Sequence, residues 1–493
     1  MFVLIAIITI ISALCYVYGK QTYSYWEKRK ILTYPGASLP FGNLKNIFTP
    51  NASMMGLQFQ DYYNYFKEKG LKHGGAYIFQ QPVYVPVEPE LMKMIMTKDY
   101  SYFDEKGIYF NEKDQPINGH LFNIGGDRWK NLRVKLTPTF TSGKMKTMYP
   151  SIVACSVPMV DKIEEHVRTG EPIDIKEMSA RFTTDVIGTC AFGIDCNSFK
   201  NPDSDFRYYG NRLINLTLQF KMQLPFTAAF PKLGAWLKMV NFPHDIANFY
   251  TKITTETVEY RENNQIKRND LLQLMLEMKQ KAEIGMQEIV SQAFLFFIAG
   301  FETSSSTMTH LMLELCINTD LQEKARQEVQ KVLKQHNNEM TYECVNDMKY
   351  LEQCINETLR KYPALPVLNR ECTKAYKVPG TDVVLEEGTK VFIPLMGIHY
   401  DPEYYPDPQK FDPERFTEEN KKTRHPYTWM PFGEGPRICI GLRFGVLQAK
   451  IGLIQLLTRY RFTFAKKIQY PVKFKNGVLV QAAEDIILNV EKL

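Results

Sequence analysis

The stretch from Pro431 to Gly445 limits what this chain can form more than any other part of it. It surrounds Cys439 with four glycines, and Arg437 stands two residues before the cysteine. Glycine adopts backbone conformations closed to other residues and lets the main chain come close to a sulfur atom. Backbone N–H groups and a nearby guanidinium favour a thiolate, which is both a strong nucleophile and a soft metal ligand. The stretch therefore predicts a catalytic nucleophile or a metal ligand at Cys439, whereas the other cysteines are better explained as buried structural residues.

Length, charge and cysteine count exclude several classes of protein. A chain of 493 residues fits two or three average domains, or one large domain built around a cofactor. Its formal net charge of +6 is small and no nucleic-acid-binding motif is present, so we expect no nucleic-acid partner. The nine cysteines include no C-x-x-C pair, which argues against a disulfide framework and against a zinc site. The folded part is therefore expected in a reducing compartment.

The amino terminus has the character of a membrane anchor. Met1 to Gly19 contains no charged side chain and is long enough to cross a bilayer as one helix. A cleaved signal peptide would carry basic residues before the apolar run, whereas here they follow it, from Lys20 to Lys30. By the positive-inside rule, the bulk of the chain then lies in the cytoplasm. We expect a transmembrane anchor over residues 1–19, a basic and proline-rich linker over residues 20–43 and one large domain over residues 44–493.

The body of the chain predicts a mainly α fold with small β-sheets, an α+β class. Short β-like runs at residues 76–80 and 82–87 indicate a small amino-terminal sheet, and helical periodicity dominates up to about residue 365. The aromatic segment 100–124 fits a surface loop and a substrate-facing loop equally well. Segment 216–239 is apolar and broken by prolines. One interpretation is that its helix ends enter the membrane and cover a substrate entrance. Core packing explains the same residues equally well.

A long apolar helix is predicted from near Met286 to Cys316, and a helix of that composition is buried and central. Gly300 inside it costs about 1 kcal/mol relative to alanine, so another interaction has to compensate for it. Glu302 and Thr303 follow in the same apolar surroundings, where polar groups are costly without partners. A threonine hydroxyl can also bond back to the carbonyl four residues earlier and bend the helix.

Two further pairs of residues lie about one helical turn apart. Trp129 and Arg133 follow Asp127, which we expect to cap the helix that carries them. Glu357 and Arg360 form a Glu-x-x-Arg pair, which is worth only a few tenths of a kcal/mol if it is exposed. Each pair alone has an ordinary explanation as a charged helix surface.

The cysteine loop resembles the haem-binding loop of cytochromes P450, through the pattern Phe432-x-x-Gly435-x-Arg437-x-Cys439-x-Gly441. In that family the cysteine is the axial thiolate of the iron of haem b, so the resemblance implies that Cys439 is the metal ligand. Such a thiolate pushes electron density into the iron and favours cleavage of O–O bonds. The resemblance also implies that Phe432 packs against the sulfur and tunes the iron. The other residues that it assigns to cofactor binding are Gly441, Arg437, Trp129, Arg133 and Arg370.

Other segments resemble the same family. The run Ala299-Gly300-Phe301-Glu302-Thr303 is similar to its oxygen-activating helix, which implies that Thr303 bonds the oxygen and that Glu302 helps to relay protons. With Arg415, the Glu357 and Arg360 pair is similar to a Glu-Arg-Arg cluster that locks the loop leading to the thiolate. The residues expected to line the substrate pocket are Phe110, Phe122, Phe297, Ala299, Val367, Leu368, Val478 and Leu479.

The resemblance covers the whole chain and is strongest to insect microsomal P450s that metabolise xenobiotics. It implies a P450 catalytic domain facing the cytoplasm from the endoplasmic reticulum membrane, and insertion of one oxygen atom from O2 into a lipophilic xenobiotic, hormone or fatty acid. Electrons would come from NADPH through cytochrome P450 reductase, with cytochrome b5 as a further partner. The helix of Trp129 would carry a basic face, which Lys144 and Lys146 extend. This face would bind the acidic flavoprotein that donates the electrons. The alternatives are a haem-thiolate isomerase or dehydratase, which needs no oxygen-activating threonine, and a non-catalytic haem- or lipid-binding protein.

Overall fold

The computed structural model describes residues 14, 16–44, 54–215, 217–467, 470 and 486–493, and helices dominate them. The helices of the first half are α1 (Tyr25–Lys28), α2 (Met54–Glu68), α3 (Pro89–Lys93), α4 (Gly126–Leu136), α5 (Ser142–Thr169), α6 (Ile175–Ile187), α7 (Asp205–Ile214), α8 (Leu218–Ala229), α9 (Pro231–Trp236) and α10 (His244–Asn264). The later helices are α11 (Leu271–Gln280), α12 (Met286–Ile317), α13 (Thr319–Gln335), α14 (Tyr342–Asp347), α15 (Lys349–Lys361), α16 (Leu395–His399), α17 (Glu418–Lys422) and α18 (Leu442–Arg459). The predicted mainly α class is confirmed.

The β structure is confined to three small sheets within the described residues. Their strands are β1 (His73–Ile78), β2 (Gln81–Pro86), β3 (Ile173–Asp174), β4 (Leu368–Glu371), β5 (Tyr376–Lys377), β6 (Val384–Leu385), β7 (Lys390–Ile393), β8 (Tyr460–Phe464) and β9 (Ile487–Lys492). The largest sheet has the order β1-β2-β7-β4, in which only β2 and β7 run parallel. The other two have the orders β3-β9-β8 and β5-β6. The predicted amino-terminal hairpin exists, and two strands from the second half of the chain complete its sheet.

Helix α12 confirms the prediction of a long central helix, and it ends one residue beyond the predicted end. Its amino terminus is closed by Glu288, whose carboxylate accepts a bond from the N–H of Gly285 at 2.8 Å. Gly300 allows α6 to pack closely against it, because a Cβ at Gly300 would come within 2.3 Å of Cδ1 of Ile187. This close packing of the two helices offsets the free-energy cost of a glycine inside α12.

Two clusters of buried apolar side chains hold the fold together. The larger is built around α12 and includes residues of α5, α6, α15 and α18. The smaller lies around the sheet of β1 and β2, where Trp26 and Tyr84 are fully buried. Strand β4 belongs to the smaller cluster and pairs Arg370 with Val391 of β7, so the arginine is held on a rigid element.

Helix α4 begins differently from the prediction. Its cap is Gly125, in an extended conformation, and Asp127 lies exposed in the first turn. The assignment of Asp127 as the cap was therefore wrong by two residues. An acidic side chain in the first turn still interacts favourably with the positive end of the helix dipole.

The predicted transmembrane anchor falls largely outside the described residues, since these exclude residues 1–13 and 15. Within the part of the chain that the structure describes, no helix is both long enough and apolar enough to span a bilayer. The side chains of Tyr16, Val17 and Tyr18, near the end of the predicted span, are exposed.

Candidate cofactor and active site

The loop before α18 holds Cys439 by backbone geometry. Gly433 and Gly435 both have φ of +72°, and a Cβ at Gly435 would come within 2.0 Å of the carbonyl oxygen of Met96. Only glycine fits that position, because neither the conformation nor the space admits a side chain. The N–H of Cys439 donates to the carbonyl of Phe432 at 2.9 Å, which closes the loop into a tight turn. Gly441 forms the cap of α18 directly after the cysteine.

The balance of effects on the thiol differs from the prediction. Burial raises the pKa of Cys439, and the N–H of Gly441 together with the charges of Arg133 and Lys106 lowers it by less. Arg437, which we expected to favour the thiolate, instead donates to the carbonyl of Ile124 at 2.8 Å. Within the loop, burial thus opposes the thiolate more than the neighbouring N–H group and charges favour it. A bound metal ion deprotonates a coordinating thiol outright, so this environment suits a ligand.

Cys439 nevertheless has an accessible surface, as do residues in the middle of the central helix. Ala299 is exposed and Thr303 is partly exposed, although Phe301, Glu302 and Ser304 on the same helix are buried. The Thr303 hydroxyl donates to the carbonyl of Ala299 at 2.5 Å, the back-bond considered from the sequence. Helix α18 runs beside this part of α12, since Gln448 donates to the carbonyl of Gly300 at 2.8 Å. The cysteine loop and the Ala299–Thr303 edge therefore belong to the same region of the interior.

Phe297 does not share that edge. Residues two positions apart in a helix differ by about 200° around its axis, so Phe297 projects away from Ala299. It is fully buried in an aromatic cluster, with ring centroids 5.7 Å from Phe206, 4.9 Å from Tyr250 and 5.3 Å from Phe301. This packing does not support the assignment of Phe297 to the pocket wall, which stays a prediction. Leu295 and Ile298 are partly exposed apolar residues of the same helix that were not predicted from the sequence.

Glu302 is directed toward α6. Its carboxylate accepts a bond from Lys176 at 2.5 Å and one from Ser306 at 3.1 Å. Lys176 also donates to the hydroxyls of Ser305 and Ser306, at 3.0 and 3.1 Å. The buried acid is thus fully partnered on a different face from Thr303. Nothing in the sequence around Glu302 indicated Lys176, which comes from a helix more than 120 residues earlier.

Four cations converge near the cysteine loop without an ion pair to a carboxylate among the described residues. They are Lys106, Arg133, Arg370 and Arg437. Burial, followed by the charge of Arg437, lowers the pKa of Arg370 to about 10. Burial also lowers the pKa of Lys106 well below its usual range, with Arg370 and Arg437 adding to the effect. Such a cluster is costly unless an anion compensates for it.

Several nitrogens of this cluster are buried without a partner in the part of the chain that the structure describes. Nε of Arg370 and both Nε and Nη1 of Arg437 make no hydrogen bond to these residues. The guanidinium of Arg437 lies over the ring of Trp129, 4.3 Å from its centroid, and the ring of Tyr100 packs beside Trp129 at 5.9 Å. Haem b fits these observations, because its two propionates would supply carboxylates to these cations and its iron would accept the sulfur of Cys439. Trp129, Arg133, Arg370 and Arg437 lie near one another in the structure, and their assignment to haem binding stays a prediction.

Lys106 is the member of the cluster that sequence reasoning missed. Its ammonium lies 3.3 Å from the centroid of the Phe122 ring, and its charge is felt by Cys439 and by the buried His120. The available signal was one of two lysines, Lys106 and Lys113, in the aromatic segment 100–124, a segment that fits a surface loop and a substrate-facing loop equally well from its sequence. In the structure, Lys106 of that segment contacts Phe122 and lies close enough to Cys439 to affect its pKa.

Tertiary contacts bring Glu357, Arg360 and Arg415 together, and their role as a structural lock stays a prediction. Arg360 makes two bonds to the carboxylate of Glu357, at 2.7 and 2.8 Å, and both side chains are fully buried. Arg415 lies 3.5 Å from the same carboxylate and donates to the carbonyls of Pro406 and Asp407. The cluster therefore ties α15 to the segment that precedes the cysteine loop.

The remaining pocket residues lie as follows. Phe110 and Phe122 are half-buried in the inward-facing loop, and Val367 is half-buried beside Leu368 on β4. Leu368 is buried and pairs with Ile393 of β7. Val478 and Leu479 lie outside the described residues.

Comparison with known proteins agrees with this geometry. The family model described as "Cytochrome P450" matches residues 38–490. The chain is 41% identical to "Cytochrome P450 6a2" of Drosophila melanogaster over the whole of both chains. It is 43% identical to "Cytochrome P450 6a8" of the same fly, covering 97% of this chain and 96% of that protein. It is 38% identical to "Cytochrome P450 6A1" of Musca domestica, covering 98% and 97%.

Proposed function

This chain belongs to the cytochrome P450 family, whose members bind haem b, and on that premise we propose that Cys439 is the axial ligand of the haem iron. The observation that supports this most is the cluster of four unpaired cations beside an accessible cysteine in the interior. Gly441, Phe432 and the packing of Trp129 against Arg437 complete the cofactor site. Among the residues that the structure describes, no carboxylate forms an ion pair with any of the four cations, so a cofactor that brings carboxylates would offset the cost of burying them.

Family membership supports a haem monooxygenase, and we propose that Thr303 handles the protons that this reaction consumes. Bound haem supplies the iron at which O2 is activated. The Thr303 hydroxyl can release its bond to Ala299 and donate into the accessible space on that side of α12. Glu302 is held by Lys176 on another face, so its part in proton supply requires a rearrangement or a water molecule that joins it to Thr303.

We propose a lipophilic substrate, because the side chains around this space are mostly apolar. Those that we assign to it are Leu295, Ile298, Ala299, Phe110, Phe122, Val367 and Leu368, and we extend the assignment to Val478 and Leu479 beyond the described residues. The physical reason is that an apolar wall offers few hydrogen bonds and selects by burial of surface. Xenobiotics, hormones and fatty acids all have this character.

The electron donor in our proposal is NADPH–cytochrome P450 reductase, with cytochrome b5 as a further partner. Two cations of the basic face expected from the sequence already have an acidic partner. Arg128, on the helix of Trp129, is paired with Glu112, and Lys146 is paired with Glu343. Lys130, Lys144 and Arg443 remain exposed, and the described residues offer them no carboxylate partner. Arg443 lies four residues after Cys439 and donates to Ser142 at the start of α5. An acidic flavoprotein docked here would approach the sulfur side of the haem.

We further propose that residues 1–19 anchor the protein in the endoplasmic reticulum membrane as a single span, followed by the linker 20–43 and the catalytic domain 44–493. A second membrane contact is supported by α9 and the residue after it, where Leu233, Trp236 and Leu237 are exposed. Trp236 is the most exposed of these, at 77%. A large aromatic side chain left in water in this way is typical of an interfacial anchor.

The test combines a spectrum and an activity. Reduced, CO-treated protein should show the spectrum of a thiolate-ligated haem, and Cys439→Ala should abolish it. The purified protein with NADPH and reductase should then consume O2 and oxygenate members of a lipophilic panel. A thiolate spectrum without any oxygenated product would favour an isomerase, a dehydratase or a non-catalytic haem protein. Retention of the spectrum in Cys439→Ala would contradict the ligand assignment.

A further inference from the structure

The central helix α12 carries four buried polar side chains at intervals of four residues. They are Glu302, Ser306, His310 and Glu314, and none of them is more than 3% exposed. Residues four apart in a helix lie on neighbouring turns, one above the other. The four side chains therefore form a polar stripe, which is about 18 Å long at the usual rise per residue. Such a stripe is costly inside a protein unless its groups have partners.

The end of the polar stripe next to Thr303 is held by Lys176 of α6. Lys176 donates to Glu302 and to Ser306, and the Ser306 hydroxyl donates to Glu302 at 3.1 Å. His310 follows one turn later and makes a hydrogen bond with the backbone of Ser306. Burial, followed by the charge of Lys176, lowers the pKa of His310 to about 3, so the imidazole is neutral near pH 7.

The other end of the polar stripe meets a tyrosine that reaches the protein surface. Oε1 of Glu314 accepts from Lys361 at 2.8 Å, from the Tyr470 hydroxyl at 3.1 Å and from the Tyr362 hydroxyl. Tyr470 is 43% exposed, so it joins a fully buried carboxylate to solvent. The ring of Tyr362 stacks on that of His310, with centroids 4.5 Å apart and 7° between the planes. Tyr362 therefore contacts both Glu314 and His310.

The ion pairs at the two ends explain the burial of the two acids but not that of His310. Each acid has a lysine that offsets the cost of its burial. His310 lies between these pairs, and a phenylalanine would stack on Tyr362 without burying two ring nitrogens. A neutral imidazole can take up a proton at one nitrogen and release one from the other. This capacity is what His310 adds to the polar stripe.

We propose that the polar stripe is a proton relay that supplies Glu302 from solvent at Tyr470. This rests on the proposed monooxygenase activity, in which Thr303 and Glu302 handle the protons. It adds the source of those protons, which enter near the carboxyl-terminal end of α12, about three turns from Thr303. His310, Glu314 and Tyr470 act through Glu302 and do not touch the reacting atoms.

Each passage of a proton leaves the polar stripe as it was. Solvent gives a proton to the Tyr470 hydroxyl while this hydroxyl gives its own to Glu314. Glu314 then protonates one nitrogen of His310, and the other nitrogen gives a proton to Ser306 while the Ser306 hydroxyl gives its own to Glu302. One proton thus enters for each that leaves. Two passages supply the two protons consumed when one atom of O2 enters the substrate and the other leaves as water.

Two oxidants separate proton supply from the other steps in the full-length holoenzyme. With O2, NADPH and reductase, each product consumes protons from solvent. Hydrogen peroxide carries both of its protons with its oxygen, so product formed with it needs no net proton from the relay. His310→Phe keeps a ring to stack on Tyr362 and removes both nitrogens. Its product per NADPH should fall about fivefold, while its rate with peroxide should change less than about twofold.

The solvent isotope effect is a second measurement on the same variant. Proton transfer becomes slower relative to the other steps in His310→Phe. The ratio of NADPH-driven product rates in H2O and D2O should therefore rise at least about 1.5-fold over that of the unmodified protein. The spectrum of the CO complex and the midpoint of thermal unfolding, recorded for every variant, show whether the haem site and the fold are retained.

Two milder variants test the surface end of the relay, and a third is their control. Tyr362→Phe and Tyr470→Phe each remove one hydroxyl that donates to Glu314, so both should lower product per NADPH and spare the reaction with peroxide. Tyr250→Phe is the matched control. Tyr250 is also buried and packs against Phe294 of α12, with ring centroids 5.2 Å apart, but its hydroxyl has no partner among the described residues. It should leave both reactions unchanged.

Equal losses with NADPH and with peroxide in His310→Phe would overturn the proposal, because they would indicate a packing role. Unchanged product per NADPH in all three relay variants would overturn it as well. If His310→Phe does not fold, Tyr470→Phe decides the matter, since Tyr470 is half-exposed. Absence of product from the unmodified protein with either oxidant would overturn the monooxygenase proposal itself. That outcome is distinct from a functional enzyme whose variants all retain their product per NADPH.

Discussion

Lys176 and Glu302 form a largely buried ion pair between α6 and α12, with Nζ 2.5 Å from Oε1. Their side chains are only 16% and 4% exposed. The pair fixes Glu302 against the neighbouring helix, one residue before Thr303. Glu302 therefore has a structural partner that is independent of any role in proton transfer.

Removal of one partner should destabilise the protein strongly. In Lys176→Met the carboxylate of Glu302 stays buried without its cation, which costs about 3 kcal/mol or more. We expect a lower midpoint of thermal unfolding in the holoenzyme. The double variant Lys176→Met, Glu302→Gln should recover most of the loss, because it removes both charges. Lys252→Met is the control, since Lys252 is exposed and lies 3.8 Å from Glu256 on the surface of α10. Equal midpoints for Lys176→Met and the control would contradict the importance of the buried pair.

Replacement of the Thr303 hydroxyl should separate product formation from electron consumption. Thr303→Ala removes the only side-chain hydroxyl on the Ala299 edge at this turn of α12, so protons are delivered less efficiently. Product formed per NADPH should fall about tenfold, with the spectrum of the CO complex unchanged.

Thr307→Ala is a matched control for that experiment. Thr307 lies one turn later and makes the same kind of back-bond, to the carbonyl of Thr303 at 2.9 Å, but it is buried. It should alter stability without altering the ratio of product to NADPH. The same fall in both variants would indicate an effect on helix shape and would argue against a special role for the Thr303 hydroxyl.

The features that could be predicted from sequence are those that a few neighbouring residues determine. The turn around Cys439 depends on glycines, and the extent of α12 depends on a long, mainly apolar run. The orientation of α12 could not be predicted, because a helix that is buried on most sides has no single hydrophobic face to identify, and the sequence therefore did not show that Phe297 packs into an aromatic cluster. Lys106 and Lys176 were missed because their partners are distant in sequence and a lone lysine usually lies at a solvated surface.

Loss of one arginine from the cation cluster should weaken retention of haem. Arg370→Met removes a charged donor that is buried and only partly hydrogen-bonded, and a charge-assisted bond of this kind is worth about 1.5–3 kcal/mol. Transfer of haem to excess apomyoglobin should therefore be at least about tenfold faster than from the unmodified protein. Arg370→Lys should lie between the two, because it keeps the charge. Arg168→Met, at the exposed end of α5, should leave the transfer rate unchanged. Equal rates for Arg370→Met and Arg168→Met would exclude Arg370 as a propionate partner.

Acid should destabilise the fold through buried histidines, of which His399 is the best placed for a test. Its Nδ1 lies 3.0 Å from the carbonyl of Arg360, its Nε2 accepts from the N–H of Met430 at 3.3 Å, and burial together with the charge of Arg360 lowers its pKa to about 3. In the unfolded chain a histidine titrates near 6.5. Its contribution to stability is therefore complete above pH 6.5 and is lost progressively as the pH falls toward 3.

Between pH 7.0 and pH 5.5 the protonation of unfolded His399 should lower the free energy of unfolding by about 1.2 kcal/mol. His399→Gln retains a donor and an acceptor but cannot take up the proton, so its unfolding midpoint should fall less over the same interval, although it starts lower at pH 7.0. His244→Gln, at an exposed position at the start of α10, should show the full dependence of the unmodified protein. Parallel pH profiles for His399→Gln and the unmodified protein would mean that other groups, the buried His120 among them, account for the acid sensitivity.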